Sequence, residues 1–181
     1  MNIGLFFGSF NPVHNGHINI VKEVINKTDL DNIWMILSPQ SPEKEMLIEK
    51  ETRYKLLDLA TKNLENVTIS RIEFDMPLPN YTFKTLKRIS KDNPSENFKL
   101  IIGGDNYKNI HKWKESKFIL DNYEIIVYPR SRKDLINSFT TKLFNVSSSQ
   151  IRNLVMSGKS IKGLVPDCIE KKIISTQLYL K

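Results

Sequence analysis

Short apolar runs of strand type recur along this chain. Each run is rich in Ile, Val, Leu or Phe and lies near Gly, Pro, Asn, Asp or Ser, which is typical of strands in the interior of a parallel sheet. The predicted strands are Ile3–Phe7, Ile33–Leu37, Val67–Ile72, Phe98–Ile102, Glu124–Tyr128 and Leu143–Val146.

Segments with apolar residues at helical spacing separate most of these strands. The predicted helices are Ile18–Ile25, Arg53–Lys62, Thr82–Ile89, a stretch around Trp113–Leu120, Ser149–Met156 and Pro166–Leu178. This alternation predicts an α/β fold: a Rossmann-like, doubly wound and mostly parallel sheet of five to six strands with helices on both faces. Ligands of such sheets lie beyond the carboxyl ends of the strands, where the strand order reverses.

Length and composition indicate one domain over residues 1–181. The chain of 181 residues is 40% hydrophobic and 26% charged, an ordinary globular balance. Cys168 is its only cysteine, which excludes an internal disulfide and leaves a packing role. No apolar run approaches the length of a membrane span and the chain opens on a strand, so we expect a cytoplasmic protein without membrane contact. The sequence is compatible with a homo-oligomer.

The net charge of +7, from 27 Lys and Arg against 20 Asp and Glu, suits a polyanionic ligand. The lysines are spread along the chain, however, and short clusters at 112–117 and 130–133 are explained as well by a solvated face. A nucleotide is therefore the favoured partner, and nucleic acid the weaker alternative.

The first seventeen residues predict a strand, a loop and the start of a helix. At such a junction backbone N–H groups lack partners and form a site suited to an anion. Gly8 permits close approach to a ligand, and Ser9 adds a hydroxyl donor. His14 and His17 are three residues apart, so at a helix start they lie on the same side. Neutral imidazoles there can meet a polyphosphate.

Two other interpretations of this loop remain. A glycine-bearing turn between strand and helix is common in folds of this class, but it does not explain why two of the three histidines of the chain lie in it. Two histidines can also bind zinc, although no cysteine or other third ligand lies nearby in the sequence.

The ten residues GSFNPVHNGH closely resemble the signature of the HxGH nucleotidyltransferases, and most closely that of the bacterial nicotinate-nucleotide adenylyltransferases. The resemblance implies transfer of an adenylyl group from ATP to nicotinate mononucleotide, giving nicotinate adenine dinucleotide and pyrophosphate, a step of NAD biosynthesis. It implies Mg²⁺ held by the ATP phosphates rather than by the protein. It also implies that Gly8, Ser9, Phe10 and His17 bind ATP, and that His14 and His17 are catalytic.

The second loop, Ser38–Glu49, carries prolines and is expected to be mobile. Lys44 matches the lysine that ends the family's Pro-rich loop, which implies a catalytic and substrate-binding role. Arg53, in the helix that follows, has two equal interpretations: it contacts phosphate, or it supports the loop.

The segment LPNYTFKTL resembles the family's substrate segment, which usually reads Ser-Tyr-Thr-x-Asp-Thr-Leu. The resemblance implies that Tyr81, Thr82 and Thr85 bind the substrate, and a helix start with hydroxyls suits a carboxylate. Asn80 and Lys84 replace the usual Ser and Asp, which puts the supporting hydrogen bonds in doubt. An ordinary N-capped helix is the alternative.

The segment LIIGGDNYKNIHKW follows the fourth predicted strand and resembles the family's Ile-Gly-x-Asp segment with a downstream Trp. The resemblance implies that Gly103 and Asp105 bind ATP and that Trp113 contacts the nicotinate ring. A core position is the alternative for Trp113. His111 is expected on the surface.

The segment VSSSQIR matches the family's Ser-Ser-x-x-Ile-Arg motif. Serine hydroxyls cap a helix and donate to phosphate, and a guanidinium binds the same group through two hydrogen bonds. We expect Ser148, Ser149 and Arg152 to bind ATP, Arg152 to act in catalysis, and the part from about 147 to 181 to complete the ATP site. No role is carried over to Arg130, because Pro129 and Arg130 reverse the family's usual order.

The implied reaction needs donors and cations rather than a base, because the attacking phosphate is already anionic. Nicotinamide mononucleotide and phosphopantetheine are alternative acceptors, although the phosphopantetheine enzymes usually have Thr at the position of His14. A non-catalytic nucleotide- or nucleic-acid-binding domain would have no use for both histidines and Arg152.

Overall fold

The computed structural model describes residues 1–40, 48–129 and 146–180. Within these ranges five strands form one sheet in the order β3-β2-β1-β4-β5, and every neighbouring pair is parallel. The strands are β1 (Asn2–Gly8), β2 (Asn32–Leu37), β3 (Val67–Ser70), β4 (Asn97–Gly103) and β5 (Glu124–Tyr128). The order reverses between β1 and β4, so the crevice of this sheet lies at the carboxyl ends of these two strands.

Seven helices and two 3₁₀ turns surround the sheet in the described part of the chain. The helices are α1 (Asn15–Lys27), α2 (Lys50–Thr61), α3 (Thr82–Asp92), α4 (Gly104–Lys108), α5 (Ser116–Asn122), α6 (Ser148–Met156) and α7 (Asp167–Ser175), and the 3₁₀ turns are Ile72–Asp75 and Ile110–Lys112. Helices α1, α2, α6 and α7 pack on one face of the sheet, and α3 and α5 on the other. This confirms the predicted α/β, doubly wound parallel fold.

Two apolar clusters form the core because alternate residues of each strand point to opposite faces. In β1, Leu5 faces the cluster beneath α3 and α5, whereas Phe6 faces the cluster beneath α1, α2, α6 and α7. Ile36 and Met35 of β2 alternate in the same way. Burial on both faces explains why the strands read as nearly continuous apolar runs.

The predicted elements differ from the observed ones at several ends. β3 stops at Ser70, and Ile72 begins a 3₁₀ turn instead of ending the strand. The helix predicted around Trp113 is wrong at its start: Glu115 has a left-handed φ of +54°, which prevents α5 from extending back to Trp113. The sixth predicted strand, Leu143–Val146, lies almost wholly outside the described residues. Among the described helices none is both long and apolar enough to cross a membrane.

Candidate active site

The loop between β1 and α1 is fastened through its oxygen atoms. Arg53 donates to the Ser9 carbonyl at 2.7 Å, and Ser148 Oγ donates to the Pro12 carbonyl at 2.9 Å. Asn11 accepts twice, at its carbonyl from Arg152 (2.8 Å) and at Oδ1 from the Tyr179 hydroxyl (2.9 Å). The four donors come from α2, α6 and the end of the chain, so tertiary contacts rather than local sequence determine the shape of this loop.

This fastening also orients backbone donors. In a trans peptide the C=O of one residue and the N–H of the next point in opposite directions. The carbonyls of Ser9 and Pro12 face the Arg53 and Ser148 side chains, so the N–H groups of Phe10 and Val13 face the other way. Amides turned away from the scaffold at the start of a helix are what an anion-binding loop requires.

His14 and His17 cap the start of α1 for each other. The backbone N–H of His17 donates to Nδ1 of His14 (3.3 Å), and the backbone N–H of His14 donates to Nδ1 of His17 (3.2 Å). The two rings are stacked, with centroids 3.6 Å apart. Because both Nδ1 atoms act as acceptors, the proton of each neutral ring lies on Nε2, and Nε2–H is the group with which each ring can donate to a ligand.

Gly16 provides the space for this stacked pair. A Cβ at Gly16 would lie 2.9 Å from Nδ1 of His14 and 3.1 Å from a methyl group of Val146. Gly8 has a similar packing role, since a Cβ there would lie 2.8 Å from the Phe10 ring. Phe10 in turn packs edge-on against His17, with centroids 5.0 Å apart. The glycines of the motif therefore leave room for these rings, a packing role that the sequence alone did not predict.

Arg53 is fully buried, and among the described residues its hydrogen bonds all go to main-chain carbonyls. Besides Ser9, it reaches the carbonyls of Ser38 (2.7 Å), Pro39 (2.5 Å) and Ile48 (2.8 Å). Desolvation lowers the pKa of Arg53, and its interaction with Tyr179 opposes part of this change. Of its two predicted roles, the contacts favour loop support: this one side chain joins the β1–α1 loop to both flanks of the loop after β2. Lys44 lies between those flanks, outside the described residues.

The predicted substrate segment has a buried and an accessible part. Thr85 differs from the prediction: its side chain is fully buried and its hydroxyl donates to Glu73 at 2.7 Å, so it supports the segment instead of facing a ligand. Asn80, at the usual Ser position, donates to the Glu73 carbonyl at 3.0 Å. Tyr81 and Thr82, at the start of α3, are partly exposed.

Glu73 supplies the acceptors for the hydrogen bonds of Thr85 and Asn80 that hold this segment. Sequence reasoning missed this residue, because a single glutamate in a short irregular segment has no distinguishing pattern. Its side chain is buried, and burial raises the pKa of Glu73, with the hydroxyls of Thr85 and Ser38 opposing part of the rise.

The segment after β4 lies beside the β1–α1 loop, because β4 pairs with β1. Gly103 precedes α4, and Asp105 in its first turn is exposed. Trp113 is partly buried against the cluster beneath α3 and α5, which places part of its ring in the core. The Lys114 ammonium lies 4.1 Å from the centroid of the Tyr81 ring, so the two predicted substrate segments are in contact.

The start of α6 docks on the first loop. Ser147 caps this helix by accepting from the Gln150 N–H, Ser148 donates to the loop, and Ser149 Oγ accepts from Arg152 at 3.2 Å. The structure thus brings the guanidinium predicted from VSSSQIR to the loop that carries both histidines. Sequence reasoning missed Tyr179, whose distance along the chain from Asn11 hides their contact.

No group of three or more His, Cys, Asp and Glu side chains that could hold a metal ion is found in residues 1–40, 48–129 and 146–180. The zinc alternative for His14 and His17 is further weakened because backbone N–H groups occupy both Nδ1 atoms. His111 is exposed, as predicted.

Comparison with known proteins finds a matching family model and similar sequences. Residues 5–154 match the model of the cytidylyltransferase-like family. The "probable nicotinate-nucleotide adenylyltransferase" of Flavobacterium psychrophilum is 37% identical to this chain, with both chains covered over 100% of their length. The protein of the same name from Cytophaga hutchinsonii is 41% identical, covering 99% of this chain and 98% of its own.

A solved structure shares the fold. The Plasmodium falciparum nicotinic acid mononucleotide adenylyltransferase in complex with NaAD has a TM-score of 0.83 and 20% sequence identity, with 98% of this chain and 97% of that chain covered. At this identity the likeness concerns the fold alone. The sequence relatives, together with the family match, show that the chain belongs to the cytidylyltransferase-like family and, within it, to the nicotinate-nucleotide adenylyltransferases.

Proposed function

We propose that this protein transfers the adenylyl group of ATP to nicotinate mononucleotide, releasing pyrophosphate and forming nicotinate adenine dinucleotide, as a cytoplasmic step of NAD biosynthesis. The observation that carries the proposal is the β1–α1 loop. Its oxygens are bound by Arg53, Ser148, Arg152 and Tyr179, and it leads into a helix capped by a stacked histidine pair at the switch point of the sheet. The sequence relatives named for this reaction support it.

The chemistry requires positioning and charge stabilisation. A phosphate oxygen of the mononucleotide attacks the α-phosphorus of ATP, a new P–O bond forms, and the bond between the α-phosphorus and the bridging oxygen breaks. Pyrophosphate leaves with the electron pair. The attacking phosphate is already ionised, so no side chain has to remove a proton, and the protein accelerates the step by holding the groups in line and stabilising the departing charge.

We assign the roles of individual residues from the hydrogen-bond donors that they can offer to phosphate oxygens. Nε2–H of His14 and of His17 would donate to phosphate oxygens, and the loop amides would bind the same polyphosphate. Arg152 would add a positive charge at the edge of the loop. Lys44, from the loop after β2, is proposed to reach the phosphates as well.

ATP is proposed to bind as its Mg²⁺ complex, which makes the metal ion part of the substrate. Mg²⁺ is commonly held by substrate phosphates with few protein carboxylates. Ser9, Ser148 and Ser149 would lie along the triphosphate, and Gly103 and Asp105 beside the nucleoside.

The surroundings of Tyr81 favour nicotinate over nicotinamide. The ammonium groups of Lys114 and Lys84 lie 4.1 and 5.6 Å from the centroid of the Tyr81 ring. These cations, together with the N-terminal end of α3, would stabilise a carboxylate more than a neutral amide. Trp113 and Tyr81 would contact the pyridine ring.

The test is pyrophosphate release from ATP and Mg²⁺ with nicotinate mononucleotide, nicotinamide mononucleotide or phosphopantetheine as the acceptor. We expect turnover with nicotinate mononucleotide to exceed turnover with nicotinamide mononucleotide, and none with phosphopantetheine. A preference for either alternative acceptor would reassign the substrate but keep the reaction class. ATP binding without turnover on any of the three would indicate a binding domain and would overturn the proposal.

A further inference from the structure

Tyr179, close to the end of the chain, reaches the centre of the β1–α1 loop. Its side chain is 9% exposed, and its hydroxyl donates to Oδ1 of Asn11 at 2.9 Å, across 168 residues of sequence. Asn11 is itself 1% exposed. This is therefore a buried, long-range hydrogen bond between a terminal segment and the residue at the middle of the loop.

A turn in the backbone after α7 places the Tyr179 ring against the β1–α1 loop. The helix ends at Ser175, and Gln177 and Tyr179 adopt left-handed φ angles of +52° and +68°. The N–H of Leu178 returns to the carbonyl of Ile173 at 3.1 Å, which closes a tight turn. Residues other than glycine adopt such angles at an energetic cost, so surrounding contacts must hold them in place.

Two side chains bind Asn11 at different atoms. Tyr179 holds its side chain, and Arg152 donates to its backbone carbonyl. Burial raises the pKa of Tyr179 above the ordinary tyrosine value, while Arg152 and Arg53 oppose part of that rise. The hydroxyl therefore keeps its proton and acts as a donor at neutral pH, beside two guanidinium groups that also bind this loop.

We propose that Tyr179 is a positioning residue for adenylyl transfer: by holding Asn11, it keeps the β1–α1 loop and the His14 cap in the geometry that binds the ATP phosphates. The inference rests on the proposed function, and it adds the last turn of the chain to the machinery of the site. In this proposal Tyr179 acts through Asn11 rather than by binding the phosphates or the acceptor.

The test compares Tyr179→Phe with Tyr123→Phe. The control is closely matched, because the Tyr123 side chain is 8% exposed and its hydroxyl is 2.8 Å from Ser90 Oγ, in the cluster beneath α3 and α5. Both variants lose one buried tyrosine hydroxyl, so similar shifts in melting temperature are expected. Tyr179→Phe should lower kcat/KM for MgATP about tenfold, and Tyr123→Phe should leave it within about twofold of the parent.

A double-mutant cycle distinguishes positioning from a general loss of stability. If Tyr179 acts through Asn11, then combining Tyr179→Phe with Asn11→Ala lowers kcat/KM no further than the stronger single change. Independent effects that multiply would overturn the inference, as would equal kinetics for Tyr179→Phe and Tyr123→Phe. Calorimetric titration with MgATP gives a second readout, in which only Tyr179→Phe weakens binding.

Failure of the proposed function would give a different result from failure of the inference about Tyr179. A parent protein that binds MgATP without turnover would overturn the function, and the binding titrations would still decide the role of Tyr179. A parent that neither binds nor turns over MgATP would overturn both.

Discussion

The two ends of the sheet differ in the groups that bind their cationic side chains. At the amino end, Lys99 is held by Asp29 at 2.8 Å and by Glu124 at 3.0 Å. At the carboxyl end, Arg53 and Arg152 donate to carbonyls and to a hydroxyl, and neither has a carboxylate within ion-pair distance in the described part of the chain. Carbonyl groups satisfy hydrogen bonds without cancelling net charge, so no bonded carboxylate neutralises these two guanidinium groups in the described part of the chain.

Burial separates the two ends as well. Lys99 is buried, but the side chains of its partners Asp29 and Glu124 are 62% and 64% exposed, so solvent screens these ion pairs. Arg53 is fully buried together with the loop that it supports. Solvent-exposed ion pairs therefore complete one end of this molecule, whereas buried hydrogen bonds from Arg53 to main-chain carbonyls hold the loop at the other end.

The largest expected effect comes from the histidine pair. His17→Ala removes the Nε2–H that is proposed to donate to a phosphate oxygen, and it also removes the acceptor of the His14 backbone N–H. The change should therefore lower kcat for pyrophosphate release by about two orders of magnitude or more. His111→Ala, at an exposed position outside the site, is the control and should match the parent. An unchanged rate for His17→Ala would remove this residue from the mechanism.

The second largest effect is expected at Arg53. Arg53→Met leaves four carbonyls without their donor, so the free energy of unfolding should fall by about 3 kcal/mol and kcat/KM by about tenfold or more. Urea unfolding and steady-state kinetics measure the two effects. Lys99→Met, at the amino end, should leave kcat/KM unchanged. Equal kinetic losses in the two variants would mean that both ends of the sheet contribute to the site.

A smaller effect concerns acceptor selection. Lys114→Met should reduce the preference for nicotinate over nicotinamide mononucleotide about fivefold, because an exposed charge contributes roughly 1 kcal/mol. The ratio of the two kcat/KM values is the measurement. Lys117→Met is the matched control, since Lys117 is exposed and already paired with Asp121. If the ratio is the same in both variants, Lys114 has no part in selection.

The smallest effect is a pH dependence. Glu73 is a buried carboxyl group at the carboxyl end, and burial raises its pKa. The folded state therefore binds its proton more tightly than the unfolded state, and Glu73 lowers stability as pH rises from the ordinary glutamate range through its raised pKa.

Glu73→Gln removes this titration but keeps an oxygen acceptor for Thr85. The melting temperature of the variant minus that of the parent should therefore increase with pH across that range and then level off. Thermal unfolding at a series of pH values measures the difference. A difference that does not change with pH would contradict the assigned shift.

Much of the fold was predictable because local pattern and tertiary environment agree. The strands that contain Leu5, Met35 and Leu100 are buried on both faces, so their apolar runs identify them directly. The errors fall where one residue overrides the pattern, as at Glu115, whose left-handed backbone separates Trp113 from α5. Such a conformation leaves no periodic signal.

The site was predictable only in part. The motif residues His14, His17 and Arg152 were identified from spacing and resemblance, and the structure brings their segments together. Thr85 was predicted to face a ligand, but it is buried against Glu73. Whether a hydroxyl faces a ligand or the interior depends on what packs against it, and the segment's own sequence does not carry that information.

Local pattern was enough to identify most strands and helices and the loop with the candidate catalytic residues, because periodicity and residue type are local properties. The way in which that loop is held depends on tertiary contacts. Arg53, Arg152 and Tyr179 bind its oxygens from 44, 141 and 168 residues away. The physical reason is that every residue carries the same backbone carbonyl, so the sequence does not show which side chain will donate to it. The packing of the whole chain decides that.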